Sequence, residues 1–487
     1  MIRARFAPSP TGNLHIGSVR TALFNWLFSR HTKGTYVLRI EDTDQQRSEK
    51  KFEQNINDGL AWLGLTEDEG PEKGGAYGPY SQFERIQKGM YQDYAKKLVD
   101  QDLAYYCFCS DEELDQERRE AKDKDIPYVY SQKCMALDKT DIAKRIESKE
   151  PYALRFKMPG HVQLSFKDLI RGEINFDMGL FSDFVIMKSD NTPSYNFAVV
   201  IDDMLMQITH VIRGEDHISN TPKQICLYQA FGASIPEFAH LPMILGPDRS
   251  KLSKRHGATS VTEYQEKGFL PEALLNYLVL LGWSSPDGEE ILSKERLIEL
   301  FSLERISKSN AIFDVTKLTW MNGQYIRNLD KKALYERVKS YISSEFDQAL
   351  SKYSPDELEH IVFSVRDNLD VLSDINRYLD VFIIDTNAYS SSVRDYSFTK
   401  QDLDIINLFK KRLTELHDPL TQEQAEVIIN SVVETSGLGR GKVYKPVRIA
   451  CSGRPSGPSL YDIISILGKE EIGKRLDYML DMTKPNR

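Results

Sequence analysis

Two short stretches of the chain concentrate groups suited to holding a phosphate chain. The first is Ala7-Pro8-Ser9-Pro10-Thr11-Gly12-Asn13-Leu14-His15-Ile16-Gly17-Ser18, placed just ahead of an apolar helical period. A helix N-terminus presents free N–H groups and a partial positive charge, and glycines such as Gly12 and Gly17 let a ligand approach the backbone. His15 adds a directional donor at the same point. The second is Arg249-Ser250-Lys251-Leu252-Ser253-Lys254-Arg255-His256-Gly257, with Arg249, Lys251, Lys254 and Arg255 as fixed cations and no acid inside it. Gly246 and Gly257 bracket it, so it reads as a mobile loop whose lysines can follow charge developing on a phosphate. Taken singly, an ordinary Pro-Gly turn and a solvated basic loop remain open readings of the two.

Two further clusters carry donors of other kinds. Cys107-Phe108-Cys109, then Tyr130 and Cys134, gather thiols and a phenol, although one residue between paired cysteines is closer than the usual zinc spacing. Three buried, reduced thiols are the alternative. Near the C-terminus, Gly439-Arg440-Gly441-Lys442-Val443-Tyr444-Lys445-Pro446-Val447-Arg448, continuing to Arg454 without an acid, is basic with an interleaved aromatic. That pattern suits phosphate contact and base stacking on RNA, or a plain solvated loop.

The elements around these stretches define a fold class. Ile2 to Ala7 reads as a strand, and a helix follows with Val19, Leu23, Trp26 and Leu27 on one face. Gly34 stops it, and Thr35 to Ile40 is β-branched and aromatic enough for a second strand. Strand, crossover helix and strand in so few residues predict a parallel pair in an α/β sheet. A short-strand region between Pro151 and Phe176 reads as an α+β insertion. The α/β signal then resumes with a strand over Ile208 to Ile212 and a helix from Asn220 or Thr221. Ser260 to Arg327 reads as helices and turns. Beyond Asp330 the chain is nearly all amphipathic helix, as in Lys331 to Phe346 and Gln422 to Thr435.

Composition sets the limits. At roughly 150 residues per domain, 487 residues predict about three domains. Hydrophobic residues make up 41% and charged residues 28%, enough apolar surface to exclude wholesale disorder. The net charge of −9 disfavours coating of nucleic acid by bulk positive charge, so a polyanion must meet a local basic patch. No apolar run is long enough to cross a bilayer, and the first residues lack a signal-peptide pattern. An odd count of 5 cysteines fits a reducing, cytoplasmic setting.

Together the first two stretches resemble the paired signatures of class I aminoacyl-tRNA synthetases, usually His-Ile-Gly-His and Lys-Met-Ser-Lys-Ser. Four further segments are similar to the glutamate branch of bacterial type: Arg5-Phe6-Ala7-Pro8-Ser9-Pro10-Thr11-Gly12, Arg39-Ile40-Glu41-Asp42-Thr43-Asp44, Val211-Ile212-Arg213-Gly214-Glu215-Asp216-His217 and Trp320-Met321-Asn322-Gly323. The likeness runs from the first strand to about Arg327 and more weakly to the end. The chain departs from the class pattern at Ser18, Leu252 and Arg255; with Ser18 in place of the second histidine, a clamp of two imidazoles is not expected.

The resemblance implies a Rossmann-like parallel-sheet catalytic domain (residues 1–80 and 180–245) carrying an acceptor-arm-binding insertion (81–179). It further implies a stem-contact region with the lysine loop (246–327) and an all-helical anticodon-binding region (328–487). The implied activity is ligation of L-glutamate to tRNA through glutamyl-adenylate, with ATP accompanied by Mg²⁺. It places His15, Gly17, Lys251 and Lys254 in catalysis, and Ala7, His15, Gly17, Asp216, Ser253 and Lys254 at ATP. Arg5, Ser9, Glu41, Tyr195 and Arg213 fall at glutamate, where a bidentate Arg suits a carboxylate and serves glutamine poorly. Related sequences carry Asn where Val199 stands, so that polar contact is expected to be absent. Zinc is implied at Cys107, Cys109 and Cys134 with Tyr130 as fourth ligand, because Ala136 stands where a histidine sometimes serves. Lys442, Arg448 and Arg454 are implied in RNA contact. The expected partners are tRNA, glutamate and ATP, with the chain acting as a monomer. The alternatives are a tRNA-binding paralogue without catalysis and a shorter paralogue that glutamylates a tRNA base.

Overall fold

The computed structural model describes the chain apart from residues 45–47, 127, 161, 258, 384–392, 394–395, 418 and 484–487, with Lys254 described through its backbone alone. The chain groups into two compact units. One comprises Met1–Tyr264 with Leu274–Asp314, the other Gln265–Ala273 with Val315–Arg487. The division falls inside the segment 246–327 expected to act as one region, because Leu270 and Ala273 are buried in the helical unit's core.

The first unit is built on a six-stranded sheet. Its strands and those of a smaller sheet are, in chain order, β1 (Arg3–Phe6), β2 (Thr35–Leu38), β3 (Ala104–Cys107), β4 (Ala153–Phe156), β5 (Gln163–Asp168), β6 (Gly172–Asp177), β7 (Phe184–Met187), β8 (His210–Gly214) and β9 (Glu237–Leu241). The large sheet has the order β2-β1-β8-β9-β5-β6, parallel except for the β5–β6 hairpin. The expected βαβ unit forms, with a helix at Ile16–His31 whose Val19, Leu23, Trp26 and Leu27 are buried. β1 is buried on both faces. Ala4 and Phe6 are core, whereas Arg3 and Arg5, two residues apart and therefore on one face, pair with half-buried Glu69 and buried Asp203 respectively.

The inserted segment divides between two sheets. β3, β4 and β7 form a separate antiparallel sheet. The β5–β6 hairpin instead extends the large sheet, as Asp168 pairs with Phe238 of β9. Two strands of the segment expected as an insertion, β5 and β6, thus extend the large sheet, a long-range pairing that local pattern does not encode.

The second unit is helical, with a core that includes Ile405, Phe409, Ile428, Val432, Val447 and Leu476. The helix Gln422–Ser436 begins at a capping box between Thr421 and Gln424 and ends at left-handed Gly437. The run Lys331 to Phe346, expected as one helix, is broken. It is helical over Lys331–Val338, turns through Lys339–Tyr341, and restarts at Ser344 after extended Ser343. The Ser343 N–H donates to the Asn376 side-chain oxygen (2.9 Å), a distant partner that favours the break.

Candidate active site

β2 lies on one side of β1 and β8 on the other, so the carboxyl ends of β1 and β8 mark the point where the chain order reverses. Ligands of open α/β sheets sit at such a point. Here it opens on a cavity of about 500 Å³, bordered by Arg5, Ser9, His15, Gly17, Arg213 and Lys251 among others.

His15 caps the helix Ile16–His31. Its backbone is extended, and its Nδ1 accepts the Gly17 N–H (3.1 Å). The ring can accept there only through an unprotonated Nδ1, so neutral His15 carries its proton on Nε2. Burial, with the Lys251 ammonium nearby, holds the ring below the ordinary histidine range. The turn is tied to the chain just past the lysine loop: the Ile16 N–H donates to the Thr259 carbonyl (2.9 Å) and the Val261 N–H to the Leu14 carbonyl (3.2 Å). Asn55 joins the same two segments, accepting the Leu14 N–H (2.8 Å) and donating to the Thr262 hydroxyl (3.0 Å).

The lysine loop is folded onto itself. The Gly246 N–H donates to the Ser250 carbonyl (2.8 Å) and the Leu252 N–H to the Ile244 carbonyl (3.2 Å). Asp248, one residue before the basic run, accepts from Ser250 and faces Arg255 (3.3 Å) and His256 (3.2 Å). The loop thus neutralises part of its own charge, unlike the open basic loop expected from sequence. Lys251 makes no ion pair among the described residues and borders the cavity. The Ser253 N–H donates to His256 Nδ1 (3.1 Å). The Lys254 side chain lies outside the described residues, and its backbone starts a short 3₁₀ turn.

At the other end of the cavity stands a buried charge cluster. Asp203 accepts from Arg5 Nε (3.1 Å) and Arg39 Nη1 (2.6 Å), and Glu41 accepts from Arg39 Nη2 (3.0 Å). Asp202 accepts from Arg85 Nη1 (3.0 Å), from the Gln82 amide and from the Tyr91 hydroxyl. Burial raises the Asp203 carboxyl, but the two guanidiniums outweigh it and hold it below the usual carboxylate range. Arg213 differs from the other arginines. It is 5% exposed and no carboxylate lies within ion-pair distance of it among the described residues. Its Nε donates to His240 Nε2 (3.2 Å), its Nη2 to the Thr221 hydroxyl (2.8 Å), and buried Nη1 has no partner. An unpaired buried cation is costly unless an anion arrives from outside.

Tyr195 stands at the start of the helix Tyr195–Leu205, its hydroxyl 3.1 Å from His217 Nδ1. Burial and nearby Arg213 lower His217 to about 4, so the ring is neutral. Val199 is buried and offers no polar atom, as expected.

The thiol cluster forms beside β3. The sulfurs of Cys107, Cys109 and Cys134 lie within 4.8 Å of one another, and the Tyr130 hydroxyl is 3.4 and 3.2 Å from those of Cys107 and Cys109. A zinc tetrahedron with bonds of about 2.3 Å needs sulfurs about 3.8 Å apart, so the donor set fits the ion. Arg155 Nε donates to Cys107 Sγ (3.2 Å). Burial raises that thiol, but the bonds from Tyr130 and Arg155 prevail and bring it below the ordinary cysteine value.

The basic C-terminal run is the helix Arg440–Ser452. Lys442 is exposed on it. Arg448 is buried, donating to the Pro458 carbonyl (2.6 Å), and Arg454 donates to the Arg377 carbonyl (2.6 Å) and pairs with Asp380. Two of the three expected RNA contacts are therefore already engaged within the helical unit. Helical periodicity turns part of the basic run inward, which a linear charge pattern does not reveal.

Residues 1–320 match the family model of the catalytic domain of class I tRNA synthetases (E and Q), and residues 333–480 match that of an anticodon binding domain. The chain belongs to the class I tRNA synthetases of the E and Q group. It is 43% identical to glutamate–tRNA ligase 2 of Thermoanaerobacter pseudethanolicus, covering 100% of this chain and 99% of the relative. Identity is 44% with glutamate–tRNA ligase of Moorella thermoacetica, over 98% and 97% of the two chains. Among solved structures, a glutamate tRNA ligase from Elizabethkingia meningosepticum in complex with its amino acid superposes with a TM-score of 0.87 at 34% identity, covering 99% and 100% of the two chains. Glutamate-tRNA synthetase from Elizabethkingia anophelis gives 0.85 at 34%, covering 99% of each.

Around the synthetase's cavity stand Arg5, Ala7, Ser9, His15, Gly17, Glu41, Tyr195, Arg213, Asp216 and Lys251, all singled out from sequence. Sequence reasoning missed Asp203, Thr221 and His240, which hold those arginines, Asp168, which lies against His240, and Asn55 and Asp248, which hold the two loops. A buried acid inside an apolar helical period, as at Asp202-Asp203, is the one local signal that points to such a partner. No helix of the described chain is long and apolar enough to cross a membrane.

Proposed function

We propose that this chain ligates L-glutamate to tRNA in two steps, and that the cavity at β1 and β8 is where both occur. The observation that carries the reading is the convergence of the His15 turn and Lys251 on one cavity whose far end holds Arg213 without a carboxylate partner. Glutamate enters with its side-chain carboxylate toward Arg213 and Arg5, which neutral glutamine would leave unneutralised. Glu41 takes the α-ammonium group, and Ser9 and Tyr195 complete the pocket.

ATP enters as its Mg²⁺ complex, with triphosphate between the helix N-terminus and the lysine loop. Ala7, Gly17, Asp216 and Ser253 border the nucleotide. A glutamate α-carboxylate oxygen attacks the α-phosphorus in line, the bond to pyrophosphate breaks, and glutamyl-adenylate forms. Neutral His15, its Nδ1 occupied by Gly17, donates from Nε2 to a phosphate oxygen; Lys251 and Lys254 neutralise charge on the departing pyrophosphate. A hydroxyl of the terminal ribose of tRNA then attacks the activated carbonyl and AMP leaves. No side-chain nucleophile is needed, since holding reactants in line supplies on the order of 7 to 11 kcal/mol.

The helical unit binds the anticodon region, with exposed Lys442 as its basic contact. Cys107, Cys109, Cys134 and Tyr130 hold a structural zinc, whose excess negative charge with three thiolates Arg155 offsets. The test is exchange of pyrophosphate into ATP with glutamate and intact tRNA, followed by charging of purified glutamate and glutamine tRNAs side by side at fixed salt. Glutamate-dependent exchange and charging are expected. Absence of exchange would favour a tRNA-binding protein without catalysis.

A further inference from the structure

Arg213 is held from behind by a buried chain of polar groups. Asp168, at the end of β5, accepts the backbone N–H groups of Ile170 (2.9 Å) and Arg171 (2.8 Å) and lies 2.7 Å from His240 Nδ1. His240, on β9, is fully buried, as is Asp168 in its side chain. His240 Nε2 faces Arg213 Nε at 3.2 Å. A guanidinium has only donors, so Nε2 must accept and be unprotonated. The remaining ring proton is then on Nδ1, aimed at Asp168, and His240 is a neutral ring in one fixed tautomer. Phe238 stacks on the ring at an interplanar angle of 9° and also lies beneath the Arg213 guanidinium, 5.5 Å from its centroid.

This assigns every donor of Arg213 on one side. Nε is bound to His240 and one N–H of Nη2 to Thr221, which leaves the second N–H of Nη2 and both of buried, unpartnered Nη1 on a side chain that borders the cavity. We infer that Asp168 and His240 are positioning residues for amino-acid recognition: Asp168 fixes the tautomer of His240, and His240 fixes the rotation of the Arg213 guanidinium so that its remaining N–H groups are held for the substrate's side-chain carboxylate. The inference rests on the reading that Arg213 binds glutamate. It explains why β5, contributed by the inserted segment, joins the catalytic sheet next to β9: the hairpin delivers the carboxylate that orients the ring.

The test compares His240→Phe, which keeps ring volume but removes the acceptor, with His240→Gln, whose side-chain oxygen can still accept from Arg213. Both are measured by tRNA-dependent pyrophosphate exchange. Loss of one hydrogen bond to a charged group costs about tenfold or more. His240→Phe is expected to raise KM for glutamate at least about tenfold while KM for ATP and kcat stay within about threefold, and His240→Gln to recover most of that loss. Arg213→Gln is the control for the underlying reading, and adding His240→Phe to it should raise glutamate KM no further.

If Arg213→Gln leaves glutamate KM unchanged, the reading of Arg213 fails and the inference with it. If Arg213→Gln impairs glutamate binding but His240→Phe does not, or if Phe and Gln at 240 behave alike, the positioning role alone is overturned. Nitrogen NMR of the ¹⁵N-histidine-labelled wild-type protein, assigned with His240→Gln, reads the same point without a folding risk. Protonation at Nδ1 is expected, and protonation at Nε2 would overturn the inference outright.

Discussion

Replacement of Asp203 by Asn is the sharpest probe of the charge cluster, because it changes one charge and almost no volume. The cluster sets the guanidiniums of Arg5, Arg39, Arg85 and Arg213 against the carboxylates of Glu41, Asp202 and Asp203, leaving one cation for an incoming anion. Asp203→Asn leaves two. Breaking a buried ion pair from one side costs about 3–5 kcal/mol. A unit charge lost about 4 Å from its partner, at an effective dielectric of about 20, gives about the same figure. At about 2 °C per kcal/mol for a unit of this size, the melting midpoint should fall by roughly 8 °C at pH 7.

The pH dependence has a definite sign. The folded-state carboxyl of Asp203 lies below the usual range, because Arg5 and Arg39 outweigh its burial. Its contribution is therefore fully present above the unfolded value of about 3.9 and is lost as pH falls through the lower folded value. Calorimetry of wild type and variant should show a constant difference between about pH 5 and pH 8 that narrows below about pH 4. A difference under about 1 kcal/mol at pH 7, or one that widens on acidification, would refute the assignment of Asp203 as the shared counter-ion.

Three further outcomes are expected. Lys254→Ala should cut the adenylation rate far more than glutamate affinity, and equal losses in single-turnover rate and glutamate binding would count against a role at the pyrophosphate. Metal analysis of the purified protein should find about one zinc per chain; chelation or Cys109→Ser should remove it and lower the melting temperature, whereas metal-free protein of unchanged stability would leave three plain thiols. Lys442→Ala should weaken tRNA binding and reduce the salt slope by about one, while Arg448→Ala should destabilise the helical unit and leave the slope unchanged, as fluorescence titrations at several salt concentrations and thermal melts can show.

Much was legible in the chain itself where the signal is local. The turn before the first helix, the parallel pair of Thr35–Leu38 with Arg3–Phe6, and the helix Gln422–Ser436 follow from residue periodicity and end signals within about fifteen positions. The residues around the cavity were legible for another reason: their types and order in several separated segments resemble one family. The break at Ser343 and the inward turn of Arg448 were not legible, since each depends on a partner outside its own segment, Asn376 in one case and the Pro458 carbonyl in the other.

The sequence by itself determined which groups are available: a histidine at a helix N-terminus, a run of cations, and arginines alternating on a short strand. Tertiary structure alone decided what those groups are. Arg5 and Arg213 carry the same charge in the chain, yet Arg5 shares Asp203 while Arg213 has no carboxylate within ion-pair distance among the described residues and its buried Nη1 has no partner. His15 and His240 are the same imidazole, yet Gly17 occupies Nδ1 of one and Arg213 occupies Nε2 of the other, so their protons sit on opposite nitrogens. The physical reason is burial: away from water nearly every donor finds its acceptor within about 3 Å, and that acceptor can come from any distance along the chain.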